Sequence, residues 1–472
     1  MRLDKVAFSV VLAMSAGARA AVTVAPGTGH PNLAVTITGS SFGASEAVDV
    51  YVDTVDTLLL VSSATGTLSA GVTIPAIAQP GKHYVTAIGR HSGTASQAAF
   101  NVTTPWTEQG FGAAHLGWNP YENTLTTGNV GSLGIKWQIP ANGLGGAPAV
   151  AGGRVFVGTT AGLSAVSTTT GTQQWKAFAT LFFASPAVVG NALYIGDGNN
   201  STMYALNAAT GATIWRQDTG GAFDSSPVVA GGMVYAGGVD GTMYAFVQST
   251  GKIAWTYTTG GFIDSSPAVV NGVLYVGSAD QKVYALNAAT GALIWSYTTG
   301  GEVKSAVAVS NGVAYVGSED DKVYAINAAT GGVLWSYTTG GPIISSPAVA
   351  YGLVFAGSSD GNMYAFNAHS GALQWSVATG GPVESPVVAN GVVYVSSRSS
   401  SIFAIAASYG QVLATGVTGF SSLGNPTISD GVLYFSAFSG NTYAFGLLSG
   451  TNAVRAPAPA SLRPDMKLVA RR

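Results

Sequence analysis

The chain contains no cysteine. That absence excludes disulfides, Cys-ligated zinc, iron–sulfur clusters and haem attached through C-x-x-C-H. It also excludes a lipid anchor that needs a Cys at the cleavage site. Charge is scarce: Asp, Glu, Lys and Arg make up 8% of residues, and the net charge is −2. With no basic stripe, no nucleic-acid partner is expected. The 5 histidines, His30, His83, His91, His115 and His369, are scattered, without H-E-x-x-H or a comparable ligand spacing. No apolar run reaches the ~20 residues of a membrane span, so no transmembrane segment is expected. What is plentiful is glycine, with 64 residues, and aromatic residues at 10%. Together with many Val and Thr residues this composition points to short strands and tight turns rather than disorder.

Residues 1–20 read as a signal peptide. Arg2 and Lys5 supply a short positive region, diluted by Asp4. Val6 to Met14 is apolar, and Ala18-Arg19-Ala20 is a small-x-small cleavage site. The expected location is secreted, periplasmic or cell-surface, with a mature chain from Ala21.

A repeat dominates the rest. Trp175, Trp215, Trp255, Trp295, Trp335 and Trp375 recur at a constant interval of about forty residues, and Trp137 precedes them. Tyr204, Tyr244, Tyr284, Tyr324 and Tyr364 mark a second phase, continued by Phe403 and Tyr443. Phe156, Tyr194, Tyr235, Tyr275, Tyr315, Phe355, Tyr394 and Tyr434 mark a third, one per unit. Within one unit the expected strands are Ser266 to Asn271 (A), Val273 to Ser278 (B), Lys282 to Asn287 (C) and Ala292 to Thr298 (D). Asn-Gly at 271–272, 311–312 and 390–391, and Asp-Gly at 430–431, suit the two-residue A–B hairpins. Four-stranded meanders of this length predict an all-β, eight-bladed β-propeller over residues 126–447. The tryptophans are expected to pack between blades. The last unit supplies only strands A to C, so Ile135 to Ile139 is expected to close the ring as its D strand.

Residues 21–103 alternate without the repeat, with strands expected at Ala34–Thr38, Ala47–Val52, Leu58–Ser62, Gly71–Ile74, His83–Gly89 and Ala98–Val102. A small Ig-like β-sandwich is predicted. Residues 104–125 read as a linker and 448–472, rich in Ala and Pro, as a disordered tail. Asp49, Asp53 and Asp56 read as solvated strand-edge carboxylates rather than a cation site.

Asn32 to Gly43 and Pro80 to Ala87 resemble the opening and a late strand pair of the TIG/IPT domain. Asn287-Ala288-Ala289-Thr290-Gly291-Ala292-Leu293-Ile294-Trp295, repeated at 207–215, 327–335 and loosely 367–375, resembles the docking motif of pyrroloquinoline-quinone-like (quinoprotein-type) propellers. Phe111 to Asn123 is similar to the lead-in of secreted bacterial proteins with this repeat. The resemblance implies a fold shared by quinone-dependent dehydrogenases, which hold pyrroloquinoline quinone (PQQ) and Ca2+, and by non-catalytic members. The enzymes build their pocket from long insertions. Here the units between Trp175 and Trp375 are equal in length, so no cofactor is expected.

Nearly all carboxylates of the repeat region fall in two loop sets. The B–C turns carry Asp197, Asp240, Asp280, Glu319, Asp320, Asp321 and Asp360; the D–A turns carry Asp224, Asp264, Glu302 and Glu384. Both sets lie on one face of a meander, offset there by Lys282, Lys304, Lys322 and Arg398. Asp240, Asp280, Asp320 and Asp360 also suit ordinary turns. Asp224, Asp264, Glu302, Lys304 and Glu384 are the sharper ligand-face candidates. The expectation is a binding or scaffold propeller for a protein, polysaccharide or cation rather than an enzyme. The alternatives are a PQQ-dependent alcohol or sugar dehydrogenase and an adhesive surface protein.

Overall fold

The computed structural model describes residues 20–140, 146–159, 162–178, 182–417, 424–437 and 441–448. The signal-peptide reading, up to residue 19, and the tail reading, from residue 449, lie outside them. The chain divides into two units, Met1–Thr103 and Thr104–Arg472. Among the described residues no helix is long and apolar enough to cross a membrane.

The first unit is a sandwich of two sheets. One is Ala21–Ala25, Ala34–Ser40 and Leu68–Thr73; the other is Thr28–Gly29, Ala95–Val102, Gly81–Gly89, Ala47–Val52 and Val55–Val61. Strict alternation explains it: Val48, Val50 and Val52 of one strand point inward, onto Ile37, Val85 and Phe100. Asp49 is held by Arg90 at 2.8 and 2.7 Å, and Asp53 by His83 at 2.6 Å. Neither converges with Asp56 on a cation site among the described residues.

Glu46 is the buried anchor of this unit. Its carboxylate accepts the Ser92 hydroxyl at 2.6 Å and the backbone N–H groups of Ser92, Gly43 and His91. These donors, Ser92 first, hold its pKa down at about 2, against an ordinary 4.5. The folded value is depressed, so the stabilisation is full above about pH 4.5 and is lost as pH falls toward 2. Acid titration followed by near-UV circular dichroism should show this unit weakening across that window. Glu46→Gln should flatten the pH dependence while lowering stability at pH 7.

The second unit is a ring of eight sheets, named here blades 1 to 8, each a four-stranded meander, with a fifth short strand added to blade 7. Blade 4 is typical, with Ala268–Val270 (A), Val273–Ser278 (B), Lys282–Asn287 (C) and Leu293–Thr298 (D). Its B and C strands fall where the sequence places them; A is shorter. The A–B hairpin turns through Asn271 (φ 51°) and Gly272 (φ 78°), the positive pair that Asn-Gly accepts. A strands of neighbouring blades face each other around the axis.

Each D strand carries a bulge, just before the tryptophan in every blade but blade 7. In blade 4, Leu293 pairs with Leu286 and Trp295 with Ala285, leaving Ile294 extra. The bulge turns Leu293 and Ile294 outward and Trp295 inward. The indole then docks on the next blade. Trp295 Nε1 donates to Ala328 O at 2.9 Å, and Tyr275 Oη donates to the same carbonyl at 3.1 Å. The ring face lies on Gly331, where a Cβ would stand 2.8 Å from Trp295 Cδ2. The same indole bond recurs from Trp137, Trp175, Trp215, Trp255, Trp335 and Trp375.

Closure follows the expected route. Leu133–Pro140 pairs antiparallel with Asn441–Leu447 and completes blade 8 behind Thr427–Ser429 and Val432–Ser436. Blade 7 alone has no docking tryptophan, since Ala414 holds that register position. Leu125 and Val130 fill the seam, in one core with Ala404, Tyr394 and Tyr434. Tyr394 Oη is buried without a partner among the described residues. In blade 4 the equivalent Tyr275 bonds to the C–D turn of the next blade, and blade 8 has no continuous C–D turn.

The expectation of a linker at 104–125 is corrected. The segment is built into the ring. It runs around the A strands: Val150 N donates to Trp106 O, Val188 N to Thr107 O, Val269 N to Ala113 O, Val309 N to Ala114 O and Val349 N to Leu116 O. Trp118–Asn119 pairs in parallel with Val387–Ala389 of blade 7. Thr104, Asn119 and Glu122 bond to Asp430, Ile428 O and Gly431 N of blade 8. Each bond satisfies a strand group that would otherwise face the axis unpaired.

Candidate functional site

Two features shape the axis. The segment 104–123 floors it on the A–B turn side. On the other side, the D–A connections carry a Ser-Ser-Pro motif that repeats with the blades, at 225–227, 265–267 and 345–347. The first serine braces its own blade: Ser225 and Ser265 Oγ accept Gly237 and Gly277 N–H. The second ties neighbours together, as Ser185 N donates to Ser226 Oγ, Ser226 N to Ser266 Oγ and Ser346 N to Ser385 Oγ. This belt was not read from the sequence, although the repeated Ser-Ser-Pro was its visible signal.

The residue just before the first serine of this connection varies from blade to blade, and in blades 5 and 7 the motif itself changes to Ser-Ala-Val and Ser-Pro. The preceding residue is Asp224, Asp264, Lys304, Ile344 and Glu384 in blades 3 to 7. Burial raises the pKa of Asp224. Burial, then the neighbouring Asp224, pushes Asp264 up to about 6. Lys304 Nζ bridges Glu302 and Glu319, each at 2.9 Å, and lies 5.9 Å from the Phe262 ring centre. Glu384 accepts Arg398 Nε at 2.7 Å. Phe262 and Ile344 remain exposed beside this set. The open end of the axis is thus a mouth with a half-buried carboxylate pair, a charge-neutralising Lys–Glu cluster and apolar flanks.

The B–C aspartates have other duties. Asp280 accepts Tyr284 Oη and Gly260 N on one oxygen and Lys282 N on the other. Asp360 does the same with Tyr364, Gly340 and Asn362. Asp240 and Asp320 are likewise clasped by Tyr244 and Tyr324. Burial works to raise Asp320 and Asp360, and the tyrosine bonds hold both below the ordinary carboxylate range. Asp280, Asp320 and Asp360 fasten the incoming D–A connection directly, and Asp240 does so through Tyr244 Oη, which accepts Gly220 N. The spacing of aspartate four residues before tyrosine is the sequence signal that could have shown it. Among the described residues no group of three or more His, Asp or Glu side chains is placed to hold a metal ion.

A family profile described as the β-propeller of the β-alanine-activating enzyme matches residues 199–439, just over half of the chain. The chain belongs to this β-propeller family. No curated protein sequence matches it. Among solved structures, the family's fold is shared with BamB from Moraxella catarrhalis, at 19% identity and a TM-score of 0.59, covering 66% of this chain and 99% of that one. The quinohemoprotein alcohol dehydrogenase from Comamonas testosteroni is similar at 16% identity and a TM-score of 0.64, covering 77% and 83%. The computationally designed Ika8 protein is similar at 16% identity and a TM-score of 0.59, covering 65% and 99%. At these identities the likeness is one of fold. A propeller of this family supports many functions, so function must be argued from the mouth and the axis.

Proposed function

We propose that this chain is a non-catalytic binding propeller of the cell envelope or extracellular space, whose mouth takes a cationic group of a protein partner. The N-terminal sandwich is read as a TIG/IPT-type module carried in front of it. One observation carries the reading: Asp224 and Asp264 are kept half-buried and close enough to repel. A carboxylate whose folded pKa is raised costs stability, and the cost grows as pH rises from the unfolded value through about 6. A cationic ligand seated between the two carboxylates would offset that cost. The exposed Phe262 and Ile344 add apolar contact for the aliphatic stem of a Lys or Arg.

The test is calorimetric titration with a short Lys/Arg-containing peptide. Binding is expected at pH 7.5 and should fade below about pH 6 as Asp264 takes up a proton. Asp224→Asn combined with Asp264→Asn should weaken it at least about tenfold, the loss expected for one charge-assisted hydrogen bond. Equal affinity in wild type and double variant contradicts the reading. So does turnover of alcohols or sugars with a dye acceptor that appears only after adding quinone and calcium.

A further inference from the structure

A small cavity lies on the axis between the floor segment and the D–A belt. Trp106 and His115 contribute to it from the floor, with Gln109; Asn425 contributes from blade 8, and Ser346 and Ser385 from the belt. Trp106 and His115 are 1% and 3% exposed, and Trp106 Nε1 and His115 Nε2 have no hydrogen-bond partner among the described residues. Two orphaned polar atoms on one cavity are unusual, since buried polar groups are paired in the great majority of cases and each one left unpaired is costly.

Four lining side chains bring N–H donors, beside the hydroxyls of Ser346 and Ser385. Gln109 Oε1 accepts the Ser266 hydroxyl at 2.9 Å, which leaves its NH2 to donate. Asn425 Oδ1 accepts Ser385 N at 3.0 Å, so its NH2 is also a donor. The Trp106 indole is a donor only. Burial pushes His115 down to about 4, so near neutral pH its ring is uncharged and, as the Nε2–H tautomer, donates. Among the described residues no carboxylate lines the cavity. The side-chain oxygens of Gln109 and Asn425 each already accept one hydrogen bond from the protein, which turns their NH2 groups toward the role of donors.

We propose that this axial cavity is a binding site for a small monovalent anion of halide size, held by the N–H donors of Trp106, His115, Gln109 and Asn425. The site is separate from the mouth carboxylates and does not depend on the peptide-binding reading.

The test uses the full chain. Chloride is titrated at constant ionic strength against gluconate, which is too large to enter, while the indole N–H resonances are followed by NMR. The Trp106 resonance, assigned by its loss in Trp106→Phe, should shift saturably with chloride and stay still with gluconate. Gln109→Glu keeps the acceptor for Ser266, and Asn425→Asp keeps the acceptor for Ser385; each puts a negative charge on the cavity. Either should weaken the chloride response at least tenfold. A crystal grown with bromide should show an anomalous peak beside Trp106. A non-saturating shift, an unchanged response in both folded variants, or a water only at that position overturns the proposal.

Discussion

Trp295→Ala should destabilise the ring by about 3–5 kcal/mol, the range for removing a large buried aromatic side chain. The bulk of this is packing. The indole covers Gly331 of the next blade and is 9% exposed. Its hydrogen bond to Ala328 O is a smaller part, because Tyr275 Oη still satisfies that carbonyl after the substitution. Trp295→Phe should therefore lose less than Trp295→Ala. Gly331→Ala approaches the same contact from the other side. Its methyl would stand 2.8 Å from the indole, on a backbone at φ 76° that only glycine adopts freely. Urea unfolding followed by tryptophan fluorescence checks all three. Equal stability of Trp295→Ala and wild type would mean that the blades are not joined by this contact.

The second large effect is expected from deleting residues 133–140. Leu133–Pro140 is the D strand of blade 8, and Trp137 docks from it onto the Thr168 carbonyl of blade 1 at 2.8 Å. Without it Asn441–Leu447 becomes an open edge and two faces of the ring lose their cover at once. What remains across this joint is the A-strand contact, the bond from Thr427 Oγ1 to Pro148 O and the floor segment. The cooperative unfolding transition should broaden or disappear, with early proteolysis at the exposed edge. A deletion variant that unfolds in one sharp transition at the wild-type midpoint would contradict closure by this strand.

The repeat was legible because one physical device is used again and again. A tryptophan that must dock on a glycine of the next blade fixes the phase, and the Asn-Gly pairs fix the hairpins. The closing strand was legible for the same reason, since Trp137 stood without the A to C strands of its own unit. The D-strand bulge was not. Leu293 and Ile294 read as strand interior, and only the register shift shows why two apolar residues in succession face outward.

The floor segment was misread as a linker because its bonds are spread out. Residues 106–117 give one carbonyl to each of blades 1, 2 and 4 to 7 and the Glu108 carboxylate to blade 3, so no strand period develops and there is nothing for a pattern to show. The useful signals were of another kind: Trp106 and Trp118 in a stretch that a solvated linker would not need, and Gly110, Gly112 and Gly117, all at positive φ. The mouth was half legible. Asp224, Asp264, Glu302, Lys304 and Glu384 were picked out by their D–A position; burial and the charge of Asp224 raise the pKa of Asp264. Asp240, Asp280, Asp320 and Asp360 looked equivalent to them, but their tyrosine partners turn them into fasteners.

That the axis is closed on one side by residues 104–123 decides which end can receive a partner, and amide hydrogen exchange of the native chain reads it directly. Peptides covering 106–119 should exchange as slowly as those covering the A strands, and more slowly than the exposed C–D turns. Exchange of 106–119 at the rate of an unstructured chain, with the A strands still protected, would contradict the account.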